Sequence, residues 1–294
     1  MHNQTFTGTA YRGYYNLPTA IRVIILANVA IFLVQILGAA IFGASFKFFI
    51  INWFAFVPDI LVTVTQPWRL VTYMFLHGGI WHILFNMLWL WWMGRSVEEA
   101  LGPRTFCAIY FGAGIGGALI DIILAQFFGI GPIIGASGAV FGVMVAFAAL
   151  YPNMPIMLIL LPPIKAKYVV GGLIGLNILL LNSNSGVARG VHLGGALIGY
   201  LLIEWDKRGA NVAKPIYFIE HWWLRFKNLW EQKKSTPVNS NMYSVSDVEI
   251  LDETEYEGYN EQTELDEILE KISKKGYDAL TKKEKKKLFE LSDK

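Results

Sequence analysis

The sequence predicts an all-α, polytopic membrane fold: a bundle of six transmembrane helices followed by a small helical cytoplasmic tail. Three observations carry that expectation. The chain is 54% hydrophobic and only 16% charged, where a soluble domain carries about 25% charged residues. Nearly all its apolar runs fall within residues 20–206, and most of the charge lies in residues 207–294. The positive residues flanking those runs are shared unequally between alternate loops. The expected organisation is a cytoplasmic N-terminal segment over 1–19, a six-span domain over 20–206, an interfacial helix and flexible linker over 207–262, and a small helical extension over 263–294.

The first span is expected at Ile21–Phe42, which is long enough to cross a hydrocarbon core of about 30 Å and reads as a retained span rather than a cleaved signal. Gly43–Gly79 is too apolar for an ordinary loop and too interrupted, by Pro58, Asp59, Pro67 and Arg69, for a straight span. It is expected partly in the interface, anchored by Trp53, Trp68 and Tyr73. Further spans are expected at Ile80–Gly94, Pro103–Phe128, Ser137–Tyr151, Tyr168–Leu181 and Val191–Trp205. Pro155–Pro163 is too short to cross and is expected at the interface. Ile216–Trp230 mixes Trp222, Trp223, Phe226 and Trp230 with Glu220, Arg225 and Lys227, the pattern of a helix lying on a membrane surface. In the tail, Leu265, Ile268, Leu269 and Ile272 recur at helical spacing, and Thr281-Lys282-Lys283-Glu284 reads as a capping box.

Orientation follows from the cations. Six spans with the N-terminus inside place nine cations on the inner side: Arg12, Arg22, Arg95, Arg104, Lys165, Lys167, Lys207, Arg208 and Lys214. Three fall outside: Lys47, Arg69 and Arg189. The bias predicts both termini in the cytoplasm. It also puts Ser137 and His192 at the outer ends of the fourth and sixth spans, at similar depth.

Four polar side chains in these apolar surroundings can do chemistry. Intramembrane polar and ionisable residues are costly and point to function. Ser137, in Gly135-Ala136-Ser137-Gly138, heads a helix, where free backbone N–H groups favour an anion. The small-residue run is equally a helix-packing face. His192 can take the hydroxyl proton and return it to a leaving amine. His82 and Asn86 are four apart, on one helix face, and both can donate to a developing oxyanion. Gly138 and Gly142, and Gly195 and Gly199, recur at intervals of four and let two helices approach closely, which would bring serine and histidine together. No acid is well placed as a third member. Asp121 lies mid-span without an assignable role, so the expectation is a Ser–His dyad with Phe141, one turn after Ser137, packed under the imidazole. His77, His82 and His192 are the competing metal set, but their spacing is poor for it, so no metal or other cofactor is expected. The single cysteine, Cys107, excludes an intrachain disulfide and a cysteine-built zinc site.

With these residues in order, the chain resembles the rhomboid family of intramembrane serine proteases. The matching features are Gly135-Ala136-Ser137-Gly138, His192 with Gly195 and Gly199, His82 with Asn86, and Trp68-Arg69 in the loop after the first span. The resemblance implies a six-helix rhomboid-like core, with the site recessed below the outer surface and reached by water. It implies Ser137 as nucleophile, His192 as general base, and the Ser137 backbone, His82 and Asn86 as the oxyanion hole, with Phe141 under the histidine. Trp68 and Arg69 would stabilise the scaffold, and the glycine-rich fifth span would act as a lateral gate. The implied activity is cleavage of transmembrane protein substrates in or near their membrane segments. The alternative is a non-catalytic rhomboid-like protein that binds transmembrane clients. The expected setting is a cell membrane, of the bacterial inner-membrane type, with the site toward the outer face. The lipid bilayer is a partner, nucleic acid is not, and nothing in the sequence indicates an oligomeric state.

Overall fold

The computed structural model describes residues 18–128, 131–157, 162–180, 189–234, 268, 271–272, 280–281 and 283–285. The expected N-terminal segment, Arg12 included, and the expected linker after residue 234 lie outside the described residues. So do Leu265, Leu269 and Gly276. The chain forms two compact units, Met1–Asn228 and Leu229–Lys294.

Among the described residues the first unit is built of helices, with one short antiparallel hairpin and one isolated bridge. Helix α1 (Thr19–Phe42) ends at Gly43, whose φ of 65° turns the chain directly into α2 (Ala44–Phe54). Two short helices follow, α3 (Ile60–Thr65) and α4 (Arg69–Thr72), then a 3₁₀ turn at Tyr73–Phe75. Helix α5 (Ile80–Trp89) passes through a π-helical turn, Leu90–Gly94, into α6 (Arg95–Phe128). Helix therefore continues beyond the second expected span as far as Leu101. The break falls at Gly102 (φ 79°), and Pro103 opens the longer segment at the one helical position where its missing N–H costs nothing. Helix α7 is Ser137–Leu150, α8 Ala166–Leu179, α9 Arg189–Lys207 and α10 Lys214–Lys234. Pro155–Ile156, in the segment expected at the interface, forms β1 of an antiparallel hairpin with β2 (Ile164–Lys165).

Two stretches among the described residues, Thr19–Phe42 and Ile80–Phe127, are long and apolar enough to cross a membrane, while Ser137–Leu150 and Ala166–Leu179 are shorter apolar helices. Leu33, Leu37, Ile41, Ile123 and Phe127 point outward, exposed. That is an unsatisfied surface in water and a natural one in lipid.

The centre is the packing of α6, α7 and α9. Their buried face combines Phe106, Ile109 and Tyr110 with Ala139, Val143, Ala146, Val191, Ala196 and Ile203. Glycine sets the spacing. A Cβ on Gly117 would lie 2.7 Å from Val191 O, and one on Gly199 would lie 2.5 Å from Gly142 O. Only hydrogen fits between these backbones.

The loop segments are held by buried polar groups. Arg69, 5% exposed, closes the end of α2: its guanidinium donates to Ala55 O (2.7 Å) and Asn52 O, and to Gln66 Oε1 (2.6 Å). Trp68 Nε1 donates to Trp53 O (2.9 Å) and Thr72 Oγ1 to Phe54 O (2.8 Å). Four orphan carbonyls of one helix end are thus satisfied by three neighbouring side chains. Trp53 and Trp68 are exposed, as anchors should be. Tyr73 is not: it is fully buried and donates to Gly114 O at 2.9 Å. Its phenol tip has a protein partner, so it does not need the interface. At the other end, buried Glu98 accepts from Ala20 N and Ile21 N, both at 2.8 Å, capping α1 from a distant helix.

In the second unit, Ile268 and Leu280 are buried. Thr281 and Glu284 exchange the reciprocal bonds of a capping box: Thr281 N donates to Glu284 Oε2 at 2.6 Å, and Glu284 N to Thr281 Oγ1 at 3.4 Å.

Candidate active site

The site begins with the strand-like segment before α7. Phe56 and Ile133 form a single antiparallel bridge, with N–H···O distances of 2.9 and 2.7 Å. Gly135 N donates to Tyr73 O at 2.9 Å. The chain then turns into α7 through Gly135, whose φ of 129° strains any side-chain-bearing residue. A Cβ there would also lie 2.6 Å from His82 Nε2. Gly135 is therefore required twice over, by its backbone and by its neighbour.

Ser137 is the first residue of α7, and no side chain caps that helix start. The first helical bond of the turn is Val140 N to Ala136 O, 3.0 Å. The N–H groups ahead of it are the orphan donors that every helix start presents. Ser137 Oγ lies 2.7 Å from His192 Nε2, and the His192 ring stacks on Phe141 with centroids 4.7 Å apart and planes 13° from parallel. His192 is buried on α9. The stripes Gly138/Gly142 and Gly195/Gly199 face each other: a Cβ on Gly195 would meet Gly138 C at 2.8 Å and its oxygen closer still. The packing of small residues and the pairing of serine with histidine are one feature.

His82 and Asn86 share one face of α5. His82 Nδ1 accepts from Gly78 N at 3.3 Å, leaving Nε2 as the protonated nitrogen, directed at Gly135. Asn86 is buried, and its Nδ2 has no hydrogen-bond partner among the described residues. A buried donor left unspent is costly unless a ligand uses it. His77 packs edge-on against His82, centroids 5.0 Å apart. Among the described residues no group of three or more His, Cys, Asp or Glu is placed to hold a metal ion. Trp68 and Arg69 stand apart from the site, in the α2 closure described above.

One residue of the site was missed in the sequence. Asn177, on α8, lies with Oδ1 2.8 Å from His192 Nδ1. Its signal was available: it is the only amide in the apolar stretch from Val169 to Leu181. Asp121 is fully buried, with neither oxygen hydrogen-bonded among the described residues, and it faces α9 at Gly190, where a Cβ would collide with it. The imidazole nitrogen a third acid would use is already occupied by Asn177.

This geometry can be set beside known proteins. Residues 64–205 match the model of the rhomboid domain. The chain carries a rhomboid domain. The rhomboid domain holds every residue of the Ser137–His192 site, and residues 249–294 match a family of unknown function (DUF6576). This rhomboid is 37% identical to the mitochondrial rhomboid protein 1 of Saccharomyces cerevisiae over 34% of its own chain and 30% of that protein. It is 34% identical to the rhomboid protease GluP of Bacillus subtilis, over 48% and 26% respectively. It is 28% identical to the rhomboid protease GlpG of Yersinia enterocolitica, over 67% and 65%. The match thus spans between about a quarter and two thirds of these relatives' lengths. Two of these three relatives are named as proteases, and this chain is a membrane protein with a helical rhomboid domain.

Proposed function

We propose that this rhomboid is an intramembrane serine endopeptidase that cleaves transmembrane protein substrates in or near their membrane segments. The observation that carries the reading is the 2.7 Å approach of Ser137 Oγ to His192 Nε2 at an uncapped helix start. Nε2 takes the Ser137 proton as Oγ attacks the scissile carbonyl. The donors assigned to the oxyanion so formed are the Ser137 N–H, the unspent Asn86 Nδ2 and His82 Nε2–H. Each such donor supports about 10² to 10³ in rate. His192 then returns its proton to the leaving amine, and water hydrolyses the acyl-enzyme by the same path in reverse. The reaction needs no metal.

The same reading makes α1, α5, the longer segment of α6, α7, α8 and α9 the six spans, with both termini cytoplasmic and the site toward the outer face of a bacterial inner membrane. A mitochondrial relative shows that the family is not confined to bacteria. The gate assignment to α8 is supported by its glycines, since Gly171, Gly172 and Gly175 all border open space.

The test is cleavage of a transmembrane reporter in reconstituted vesicles, with fluorophosphonate labelling in detergent. Ser137→Ala abolishes both, and His192→Ala abolishes cleavage and labelling alike. Undiminished turnover in either variant overturns the proposal.

A further inference from the structure

We infer that Asn177 is the positioning residue that selects the working tautomer of His192; the inference rests on the proposed role of His192 as base. Asn177 Nδ2 donates to Leu173 O, one turn back on α8, at 2.9 Å. That bond orients the amide, because turning it over would set Oδ1 against another carbonyl oxygen. Oδ1 therefore faces His192 Nδ1, at 2.8 Å. A carbonyl oxygen only accepts, so Nδ1 must carry the ring proton. In the neutral ring Nε2 is then bare and accepts from Ser137 Oγ–H, 2.7 Å away. This is the state a general base requires.

The other tautomer fails at both ends. A bare Nδ1 would face the bare Oδ1, burying two acceptors without a donor. Nε2–H would point at Oγ and could take no proton from it. Phe141 holds the plane of the ring by stacking, but a stacked face does not distinguish one nitrogen from the other. Ser137, Phe141 and Asn177 thus fix three different things: the reacting edge, the ring plane and the protonated nitrogen. Asn177 touches neither substrate nor the reacting atoms, so its effect on rate passes entirely through His192.

The experiment uses the full chain with ¹⁵N-labelled histidine rings, of which there are five, the His192 signals being assigned by their loss in His192→Gln. The parent shows His192 protonated at Nδ1. Asn177→Leu, similar in size and without an acceptor, loses that preference, and kcat for a transmembrane reporter falls about 10²-fold with KM unchanged within about threefold. Asn177→Asp, which keeps an acceptor oxygen, restores the Nδ1–H tautomer and brings kcat back to within about tenfold of the parent. An Nδ1–H signal that persists in Asn177→Leu, or an Asn177→Leu enzyme with parental kcat, overturns the inference. If the parent itself cleaves nothing and takes no fluorophosphonate, the protease reading falls, and the ring-nitrogen signals alone still decide the role of Asn177.

Discussion

Gly195→Ala is the sharpest test of the idea that helix packing sets the reacting distance. The new methyl carbon would sit 2.8 Å from Gly138 C and nearer to Gly138 O, both backbone atoms that cannot rotate away. Ordinary contact begins at about 3.4 Å, so α7 and α9 must part by about 0.6 Å or more at this level. Gly195 lies one turn from His192, and Gly138 adjoins Ser137. Most of that opening is therefore felt at the Oγ···Nε2 pair, which lengthens from 2.7 Å to about 3.3 Å or more, well past the optimum for an O–H···N bond. Misplacement of reacting groups by 1 Å costs about 10² in rate, so a loss of tenfold to a hundredfold is expected. Overpacking adds a stability cost of about 1–3 kcal/mol. The assay pairs reporter cleavage in vesicles with thermal unfolding in detergent. Turnover equal to the parent's would refute the claim that the glycine stripe sets the Ser–His distance. Destabilisation with unchanged turnover would limit the stripe to packing.

Other expectations follow from single contacts. Gly135→Ala introduces strain at φ 129° and pushes against His82 Nε2; reporter cleavage should fall about 10²-fold or more as one oxyanion donor is displaced. Glu98→Ala removes the buried acceptor of two α1 N–H groups and should lower stability by about 3 kcal/mol, read as a lower unfolding temperature, while an unshifted midpoint would deny Glu98 its capping role. Arg69→Lys keeps the charge but cannot fork to Ala55 O, Asn52 O and Gln66 together; a loss of about 2 kcal/mol in the same melt is expected. In the tail, the Lys271 hydrogen bond, followed by those from Thr281, holds the Glu284 carboxyl down from its ordinary 4.5 to about 2. Its contribution is therefore fully present above about pH 4.5 and is lost as the pH falls through about 2. A ¹³C titration of the Glu284 carboxyl with its midpoint near 4.5 would refute that pairing.

The legible part of this protein was its pattern. Solvent writes membrane helices directly into a sequence, since each residue facing lipid must be apolar and each cation must choose a side. Helices α1, α7, α8 and α9 lie within a few residues of where that pattern put them. Ser137, His192, His82 and Asn86 stood out for the same reason, as polar groups where polarity is expensive. Helix geometry was legible too: spacings of four place Ser137 over Phe141 and Gly138 over Gly142.

Tertiary structure alone decided what depends on the meeting of distant segments. Tyr73 looked like an interface anchor because an aromatic hydroxyl suits a wet boundary, and only the fold supplied Gly114 O in place of water. Glu98 becomes a cap only because the fold sets the start of α1 against it. Asn177 was an isolated amide in the fifth span, and Asp121 an isolated acid in the third; neither spacing tells which one reaches His192 Nδ1. Periodicity assigns a residue to a face of its own helix, but the partner across that face is set by helix rotation and separation, and here those are governed by glycines whose contacts lie on other helices.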